Sequence, residues 1–285
     1  MRIEYHRTLL ADQIRNAAFH EALRRVIVKG QTTVADIAEV ARKLLRHNRL
    51  TNCRIAEIHS TDVATPDRVD VVVSETLGNY PFEENIVETF NDARARFLNP
   101  GGILIPRAVE QFVCPVTNER FLSELSTWDD VGFGLDFAPA KTMTLNNIYV
   151  RLFKPGDLLG NGAAAQSWDK LTFDRRNKTT RSGEAGWPLK QRTTVYGLAL
   201  WWSAELVDGV SLATGPLNPQ THWEQLYLPA LAPITVEPGQ TLVARLRSTT
   251  SYEHGTNVTW TLAVRDKSGR DVLRQALDLE KGFLP

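Results

Sequence analysis

The first third of the chain alternates between helical and strand-like patterns. Apolar side chains recur at helical spacing over residues 9–27 and 38–50, so we predict an amphipathic helix over each range. Short apolar, often β-branched runs predict four buried strands, at residues 33–37, 55–58, 69–73 and 102–105. A further helix is predicted over residues 84–98, between the last two strands. This alternation is typical of an α/β domain.

The remainder of the chain follows a period-two pattern with Gly, Pro and Asn at the turns. It predicts strands at residues 109–113, 193–205, 224–228, 241–247 and 257–265. This pattern favours an antiparallel barrel or sandwich. We therefore predict two domains, over residues 1–106 and 107–285, with the boundary near Pro106. Residues 118–140 interrupt the strands with Trp, Phe and Leu side chains on a helical or irregular stretch.

Composition narrows the classes of partner. A chain of 285 residues with 42% hydrophobic content suffices for two cores. Lys and Arg (33) balance Asp and Glu (33), so no net charge attracts nucleic acid or an acidic membrane. Because no signal-like core or membrane-length apolar run is present, we predict a soluble, cytoplasmic protein. Cys53 and Cys114 lack the spacing of a disulfide framework or a metal site, so no metal is predicted.

Two short segments carry candidate chemistry. Glu75 comes just after the predicted strand 69–73, at the end where parallel sheets bind ligands, and Glu84 follows nine residues later. Two carboxylates on one loop can grip a guanidinium from two sides. Taken alone, a strand-end acid equally fits a helix cap or a solvated side chain. Far downstream lies the tripeptide Thr221-His222-Trp223.

Together these segments resemble the protein arginine methyltransferase family. The first matches its double-glutamate loop, S-E-x-x-G with a closing Glu, and the second matches its T-H-W loop without change. His6, Leu10, Asp12 and Arg15 match the family's N-terminal helix pattern, H-x-x-x-L-x-D-x-x-R. The resemblance implies α/β plus all-β architecture, in which a Rossmann-like class I methyltransferase domain precedes an antiparallel β-barrel. It also implies transfer of a methyl group from S-adenosyl-L-methionine to an exposed arginine of a protein or peptide.

The resemblance further implies roles for individual residues. Glu75 and Glu84 would hold the substrate guanidinium, while an Asp12–His222 pair would accept the released proton or simply tie the helix over the site. Trp223 would form mainly a wall of the substrate pocket. Leu9 and Ile86 stand where relatives carry substrate-pocket methionines associated with asymmetric dimethylation, which leaves the product class open.

The cofactor side of the site is also implied by the resemblance. Arg15 would pair with the cofactor carboxylate, and Asp62 would accept from the adenine amino group or cap a helix instead. Asp36 would order the cofactor loop, and His6 belongs to the helix that covers it. In the family an arm inserted at about residues 118–140 packs on a second subunit, so a homodimer is expected. An ordinary barrel insertion is the alternative for that segment.

One departure from the family affects the cofactor site. Methyltransferases of this type place a glycine-rich turn after the first strand, whereas here Asp36-Ile37 runs directly into Ala38-Glu39. A turn, helix and strand would take roughly 20 to 25 residues. Losing them would remove the middle of a sheet, so we predict that the sequence has a gap between residues 37 and 38 rather than a natural deletion. A real deletion would put cofactor binding in doubt.

Three other functions compete with this interpretation. The acceptor could be a small guanidino compound or another amine, in which case a closed pocket is expected instead of an open acidic groove. The chain could be an inactive homologue that serves as a binding or scaffold protein. A carbohydrate-binding β-sandwich would account for the tryptophans at 201, 202, 223 and 260, but it gives no reason for the two glutamates.

Overall fold

The computed structural model describes residues 3–36, 47–49, 58–132 and 134–283. The helices among them are α1 (Ile3–Ala11), α2 (Gln13–Val26), α3 (Ile86–Arg96), α4 (Arg120–Ser123) and α5 (Ala138–Leu145). The strands are β1 (Val34–Asp36), β2 (Val69–Val73), β3 (Leu98–Ile105), β4 (Ala108–Val116), β5 (Tyr149–Arg151), β6 (Gln166–Thr172), β7 (Thr180–Pro188), β8 (Thr193–Val207), β9 (Val210–Ala213), β10 (Gln225–Val236), β11 (Thr241–Ser251), β12 (Gly255–Arg265) and β13 (Asp271–Asp278). Most of the helix predicted at 38–50 and the strand predicted at 55–58 lie outside the described residues.

The N-terminal helical region contains a break that the hydrophobic pattern did not predict. Asp12 has an extended backbone (φ −73°, ψ 93°), and its side chain accepts a hydrogen bond from the backbone N–H of Arg15. This is the geometry of an N-cap, which ends α1 and starts α2. The prediction of one continuous helix over residues 9–27 was therefore wrong, because a capping carboxylate outweighs the apolar periodicity at that point.

The α/β prediction is confirmed in outline by a parallel sheet in the order β1-β2-β3. Asp36 pairs with Val73, and Val73 pairs with Ile105, so the three strands end together at one edge. Helix α3 covers the sheet with a buried face that includes Phe90. The segment that leaves β2 at this edge carries the candidate glutamates.

The second half of the chain folds into two antiparallel sheets. One has the order β5-β10-β8-β4-β6 with β9 beside β8, and the other has the order β13-β12-β11-β7. Backbone ladders do not continue from one sheet to the other among the described strands, so the prediction of a closed barrel was wrong in this respect. One continuous core of buried residues joins both sheets to α3 and β2.

Glutamine side chains bridge both seams between the two sheets. Gln166 of β6 donates to the carbonyl oxygen of Gly186 in β7 (2.6 Å) and accepts from its N–H (3.1 Å). At the other seam, Gln275 of β13 accepts from the N–H of Leu231 (2.7 Å) and donates to the carbonyl oxygen of Ala232 (3.0 Å). These bonds satisfy backbone groups that a closed ladder would otherwise pair.

Candidate functional site

The segment of residues 74–84, here called the glutamate loop, is held by two buried tryptophans, Trp202 in β8 and Trp223 just before β10. The indole N–H of Trp202 donates to the carbonyl oxygen of Gly78 (3.0 Å), and that of Trp223 donates to the carbonyl oxygen of Leu77 (2.6 Å). The two indole rings also contact each other edge to face, with centroids 5.0 Å apart. The middle of the loop is therefore fixed from the side of the antiparallel sheets.

Two further contacts fix the loop beyond Gly78. The side-chain oxygen of Asn79 accepts from the backbone N–H of Glu224 (2.9 Å), next to the T-H-W tripeptide. The hydroxyl of Tyr80 forms a short hydrogen bond with the hydroxyl of Ser248 in β11, and both residues are buried. The glutamate loop thus joins the parallel sheet to the antiparallel part of the molecule.

Glu75 lies at the start of the loop in an ion pair with Arg15. The Arg15 Nε lies 3.0 Å from Glu75 Oε2, and Nη2 donates to the same oxygen, while Nη1 donates to Asn16. Both side chains are only 17% exposed. Burial raises the pKa of Glu75, and the charge and hydrogen bonds of Arg15 offset part of that rise. The carboxylate is thus placed to accept a guanidinium.

Glu84 lies at the other end of the loop and is exposed. Among the described residues it has no hydrogen-bonded or ion-paired partner, and loss of hydration from the surrounding protein raises its pKa. The next residue, Asn85, adopts a left-handed backbone (φ 59°), which turns the chain into α3. Asparagine tolerates this conformation better than most residues. The turn fixes where Glu84 leaves the loop.

Between them, a third acid folds back onto the loop. The backbone N–H groups of Asn79 and Tyr80 act to lower the pKa of the Glu83 carboxyl group, but burial raises it overall. A Cβ atom at Gly78 would lie 1.8 Å from Glu83 Oε1, so only glycine leaves room for this carboxylate. Glu83 therefore closes the turn that separates Glu75 from Glu84.

The T-H-W histidine lies against the N-cap of α2. Asp12 Oδ2 lies 2.8 Å from both the ring Nδ1 and the backbone N of His222, and Oδ1 accepts from the backbone N–H of Arg15. Burial alone would raise the pKa of Asp12, but these hydrogen bonds lower it overall. Burial lowers the pKa of His222 despite the neighbouring carboxylate. The predicted Asp12–His222 pair is present as a hydrogen-bonded contact.

A family model matches the antiparallel half of the chain. Residues 108–267, more than half of the chain, match the family model described as the arginine methyltransferase oligomerization subdomain.

The chain belongs to the protein arginine methyltransferase family.

Curated relatives extend the match into the parallel-sheet half. The probable histone-arginine methyltransferase 1.4 of Arabidopsis thaliana is 29% identical over 231 residues. The alignment covers 74% of this chain and 43% of the length of that relative. Protein arginine N-methyltransferase 2 of Mus musculus is 27% identical over 190 residues, covering 62% and 42%. This chain therefore spans less than half the length of these two relatives. Protein arginine N-methyltransferase 6 of Xenopus tropicalis is 23% identical, covering 79% and 78%.

Solved structures of family members share the fold. The Trypanosoma brucei PRMT1 enzyme-prozyme heterotetrameric complex with AdoHcy aligns with a TM-score of 0.84 at 18% identity, covering 98% of both chains. Arabidopsis thaliana protein arginine methyltransferase 10, described in a uniquely open conformation, aligns with a TM-score of 0.77 at 17% identity, again covering 98% of both. At this identity the likeness supports the fold alone.

The other residues predicted for the substrate pocket lie at different depths. Trp223 is buried and its ring contacts His222, with centroids 3.9 Å apart, so it supports the glutamate loop from within. Leu9 in α1 is half-buried. Ile86 is fully buried at the start of α3 and belongs to the core, so it presents no surface to a substrate in this structure. For Ile86 the structure contradicts the predicted substrate contact, because its side chain is used for packing.

The residues predicted for the cofactor side are less fully described. Asp36 ends β1 beside β2, and His6 lies in α1, but their side chains are outside the described part of the chain. Asp62 is exposed in a 3₁₀ turn (Ser60–Asp62) that Arg96 holds through the Ser60 carbonyl oxygen. No described contact joins Asp62 to Glu75 or Arg15. Their cofactor roles stay predictions.

The sequence analysis did not identify several residues that shape the glutamate loop. Trp202 and Ser248 lie on strands far along the sequence, so no short motif links them to the loop. Glu83 was visible inside the motif, and its position beside Glu84 was the available signal. Asn85 could have been found as a residue suited to a left-handed turn immediately before a predicted helix.

Proposed function

We propose that this chain transfers a methyl group from S-adenosyl-L-methionine to a guanidinium nitrogen of arginine in a protein or peptide. The observation that carries the proposal is the glutamate loop itself, with Glu75 buried at one end and Glu84 exposed at the other. Glu75 already accepts a guanidinium, that of Arg15. The exposure of Glu84 favours a peptide acceptor over a small molecule enclosed in a pocket.

The chemistry requires the two carboxylates. A guanidinium stays protonated near neutral pH, with a pKa above about 12, so its nitrogens have little electron density for attack. Glu75 and Glu84 would hold the positive charge on one side of the group and orient the opposite nitrogen toward the methyl donor. Positioning supplies much of the rate enhancement, because reaction within a fixed geometry avoids a large entropic cost.

The Asp12–His222 pair is suited to accept the proton that methylation releases. The lowered pKa of Asp12 keeps its carboxylate ionised, so the hydrogen bond at 2.8 Å requires a proton on Nδ1 of His222. The other ring nitrogen then carries a lone pair. The lowered pKa of His222 keeps the ring neutral at pH 7, as a proton acceptor must be. The same contacts would also hold α2 over the site.

The described residues fit one end of the cofactor. S-adenosyl-L-methionine supplies a methyl group made electrophilic by its sulfonium. Arg15 has the charge and position to bind its carboxylate beside the end of β2. The sequence offers no glycine between Gly30 and Gly78 for a turn close to the adenosine. We expect Asp36, Asp62 and His6 to contribute on that side.

A homodimer and a soluble, cytoplasmic location complete the proposal. Trp128 and Leu135 expose apolar surface on the segment predicted as the dimerisation arm, and Trp128 stacks on Phe137. The matched family model describes an oligomerization subdomain. No helix among the described residues is long and apolar enough to cross a membrane. The cytoplasmic location rests on the sequence prediction only.

One observation favours a second candidate function. The missing glycine turn would suit a subunit that supports an active methyltransferase without binding the cofactor itself. The similar Trypanosoma brucei complex is named as an enzyme-prozyme heterotetramer. In this case the glutamate loop would be retained as structure. Such a subunit would not bind S-adenosylhomocysteine.

Replacing Glu84 with Gln tests the proposed function. We expect methylation of an arginine-containing peptide to fall by about 100-fold or more, because the variant loses one charge-stabilising carboxylate. Binding of S-adenosylhomocysteine, measured by calorimetry, should stay within about twofold, since Glu84 lies outside the predicted cofactor contacts. Methyl transfer is followed by mass spectrometry of the peptide.

Glu253→Gln serves as the control, because this glutamate is 85% exposed on the turn between β11 and β12. It should methylate like the wild type. Full activity of Glu84→Gln would exclude the two-carboxylate mechanism. Absence of both methylation and cofactor binding in the wild type would favour the supporting subunit.

A further inference from the structure

We propose that Trp202 is a positioning residue for the reaction, whose indole N–H sets the spacing of Glu75 and Glu84 through the Gly78 carbonyl oxygen. The inference rests on the proposed function for its kinetic consequences. Trp202 belongs to neither of the two motifs. Its side chain is fully buried, and its hydrogen bond to Gly78 spans 124 residues of sequence.

Trp202 is well placed to act as a fixed anchor. In β8 it pairs with Gln111 of β4, in the middle of the six-stranded sheet. On the other side, its backbone N–H donates to the Thr214 hydroxyl (3.2 Å), and its carbonyl oxygen accepts from the Thr214 N–H (3.0 Å). Its position is therefore set by strands that do not depend on the glutamate loop.

The side chain of Glu83 also lies against Gly78. The Glu83 carboxylate lies so close to Gly78 that a Cβ atom would meet its oxygen at 1.8 Å. The Gly78 peptide thus has the Glu83 side chain beside its Cα and the Trp202 indole N–H on its carbonyl oxygen. Gly78 lies in the segment that connects Glu75 to Glu84, so a shift of this peptide would change the distance between the two candidate catalytic glutamates.

The indole N–H is the specific feature that matters. A phenyl ring at this position would still fill much of the space, but it would leave the Gly78 carbonyl oxygen without its donor in a buried place. The loop would then shift or admit water to satisfy that oxygen. Since a displacement of about 1 Å can reduce a rate by up to about 100-fold, a small shift is enough to be measured.

Trp202→Phe is therefore compared with Trp260→Phe. Trp260 is also fully buried in the antiparallel sheets, and its indole N–H donates to a backbone carbonyl oxygen, that of Pro229 (2.8 Å), away from the glutamate loop. Both variants lose one buried indole–carbonyl bond and the same volume. The general loss of stability should therefore be similar in the two variants. They differ in that only the bond of Trp202 reaches the glutamate loop.

We expect Trp202→Phe to lower kcat for peptide methylation by about tenfold while KM changes less than about twofold, whereas Trp260→Phe keeps the wild-type kcat. Equal kcat values in the two variants would overturn the proposal. If Trp202→Phe does not fold, 3-benzothienylalanine incorporated at position 202 keeps the bicyclic shape and removes only the donor. The same kcat loss is expected for it.

Hydrogen exchange separates this proposal from the proposed function. Backbone amides of residues 75–84 should exchange about tenfold faster in Trp202→Phe than in Trp260→Phe, whether or not the protein is active. If neither the wild type nor Trp260→Phe methylates a peptide, the proposed function fails and exchange alone decides the positioning role. Equal exchange in both variants would refute it.

Discussion

The two ends of the glutamate loop are held in different ways. Glu75 is buried and paired with Arg15, which places it under the control of α2. Glu84 is exposed, without a bonded partner among the described residues, and its position follows from the left-handed turn at Asn85. An arriving guanidinium would therefore meet Glu84 first and would have to share Glu75 with Arg15. One carboxylate is fixed by an ion pair within the protein, and the other is open to solvent.

The middle of the loop is held by contacts different from those at either end. It is hydrogen-bonded to Trp202 of β8 and to Trp223 and the backbone of Glu224, which immediately precede β10. The Glu75 end instead depends on a short chain of polar contacts that runs from His222 through Asp12 to Arg15. The comparison indicates that changes in α2 should affect Glu75 and the cofactor side while leaving the centre of the loop in place.

Among the changes considered below, replacing Asp12 with Ala should disturb the Glu75 end of the glutamate loop the most. The variant loses the N-cap of α2 and both hydrogen bonds to His222. We expect the free energy of unfolding to fall by about 3 kcal/mol, because capping and charge-assisted hydrogen bonds of this kind each contribute about 1 kcal/mol or more. Chemical denaturation measures the change.

Glu253→Ala is the control, since this carboxylate side chain is 85% exposed on the turn between β11 and β12. Its effect should stay within about 0.5 kcal/mol. A loss in Asp12→Ala no larger than in this control would show that the polar chain does not stabilise the helix start. The contrast between the two ends of the loop would then need another cause.

How far the sequence predicts this site follows from the distances involved. The glutamates and the Asp12–His222 pair belong to short motifs, so a family resemblance brings them together without knowledge of the fold. Trp202 acts across 124 residues and depends on strand register, which single-sequence patterns do not define. Ile86 was misassigned for a related reason, because a motif position does not reveal whether its side chain turns into the core.

The strands likewise divide into those that the sequence pattern predicts and those that it does not. Apolar alternation located the strands whose faces are clearly buried, such as β8 and β12. It missed β6 and β13, where exposed polar side chains interrupt the pattern. The barrel prediction holds only in part, because the two sheets are joined at their seams by the side chains of Gln166 and Gln275 instead of backbone ladders. No sequence pattern indicates that a glutamine at a sheet edge will join two sheets through its side chain.

Replacing Arg15 with Ala sharpens the comparison at the cofactor side. We expect the affinity for S-adenosylhomocysteine to fall by about tenfold or more, since a charge-assisted hydrogen bond to its carboxylate would be lost. The pKa of Glu75 should also rise further, because Arg15 is what offsets the effect of burial. Isothermal calorimetry measures the affinity.

Arg24→Ala is the control on the same helix, where Arg24 pairs with Glu21 and its side chain is 66% exposed. It should leave the affinity unchanged. Equal affinities of Arg15→Ala and the wild type would show that Arg15 serves Glu75 alone. In that case the Glu75 end would be a structural contact without a cofactor role.

The smallest expected effect is a pH dependence from His222. Burial lowers its pKa in the folded state below the ordinary value of 6.5, so the unfolded chain takes up this proton first as the pH falls. The stabilisation from the neutral ring is therefore complete above about pH 6.5 and is lost as the pH drops through the folded-state pKa. Asp12, whose pKa is lowered from 3.8, loses its contribution only at more acidic pH.

Glu75, Glu83 and Glu84 act in the opposite direction above about pH 4.5, because their folded-state pKa values are raised. The difference between the wild type and His222→Gln isolates the histidine. Between pH 7 and pH 5, we expect the free energy of unfolding to fall more steeply in the wild type than in His222→Gln. The two slopes should differ by less than about 1.4 kcal/mol per pH unit. Parallel curves would mean that the ring is not held neutral by the fold, and the proton-accepting role of His222 would lose its physical basis.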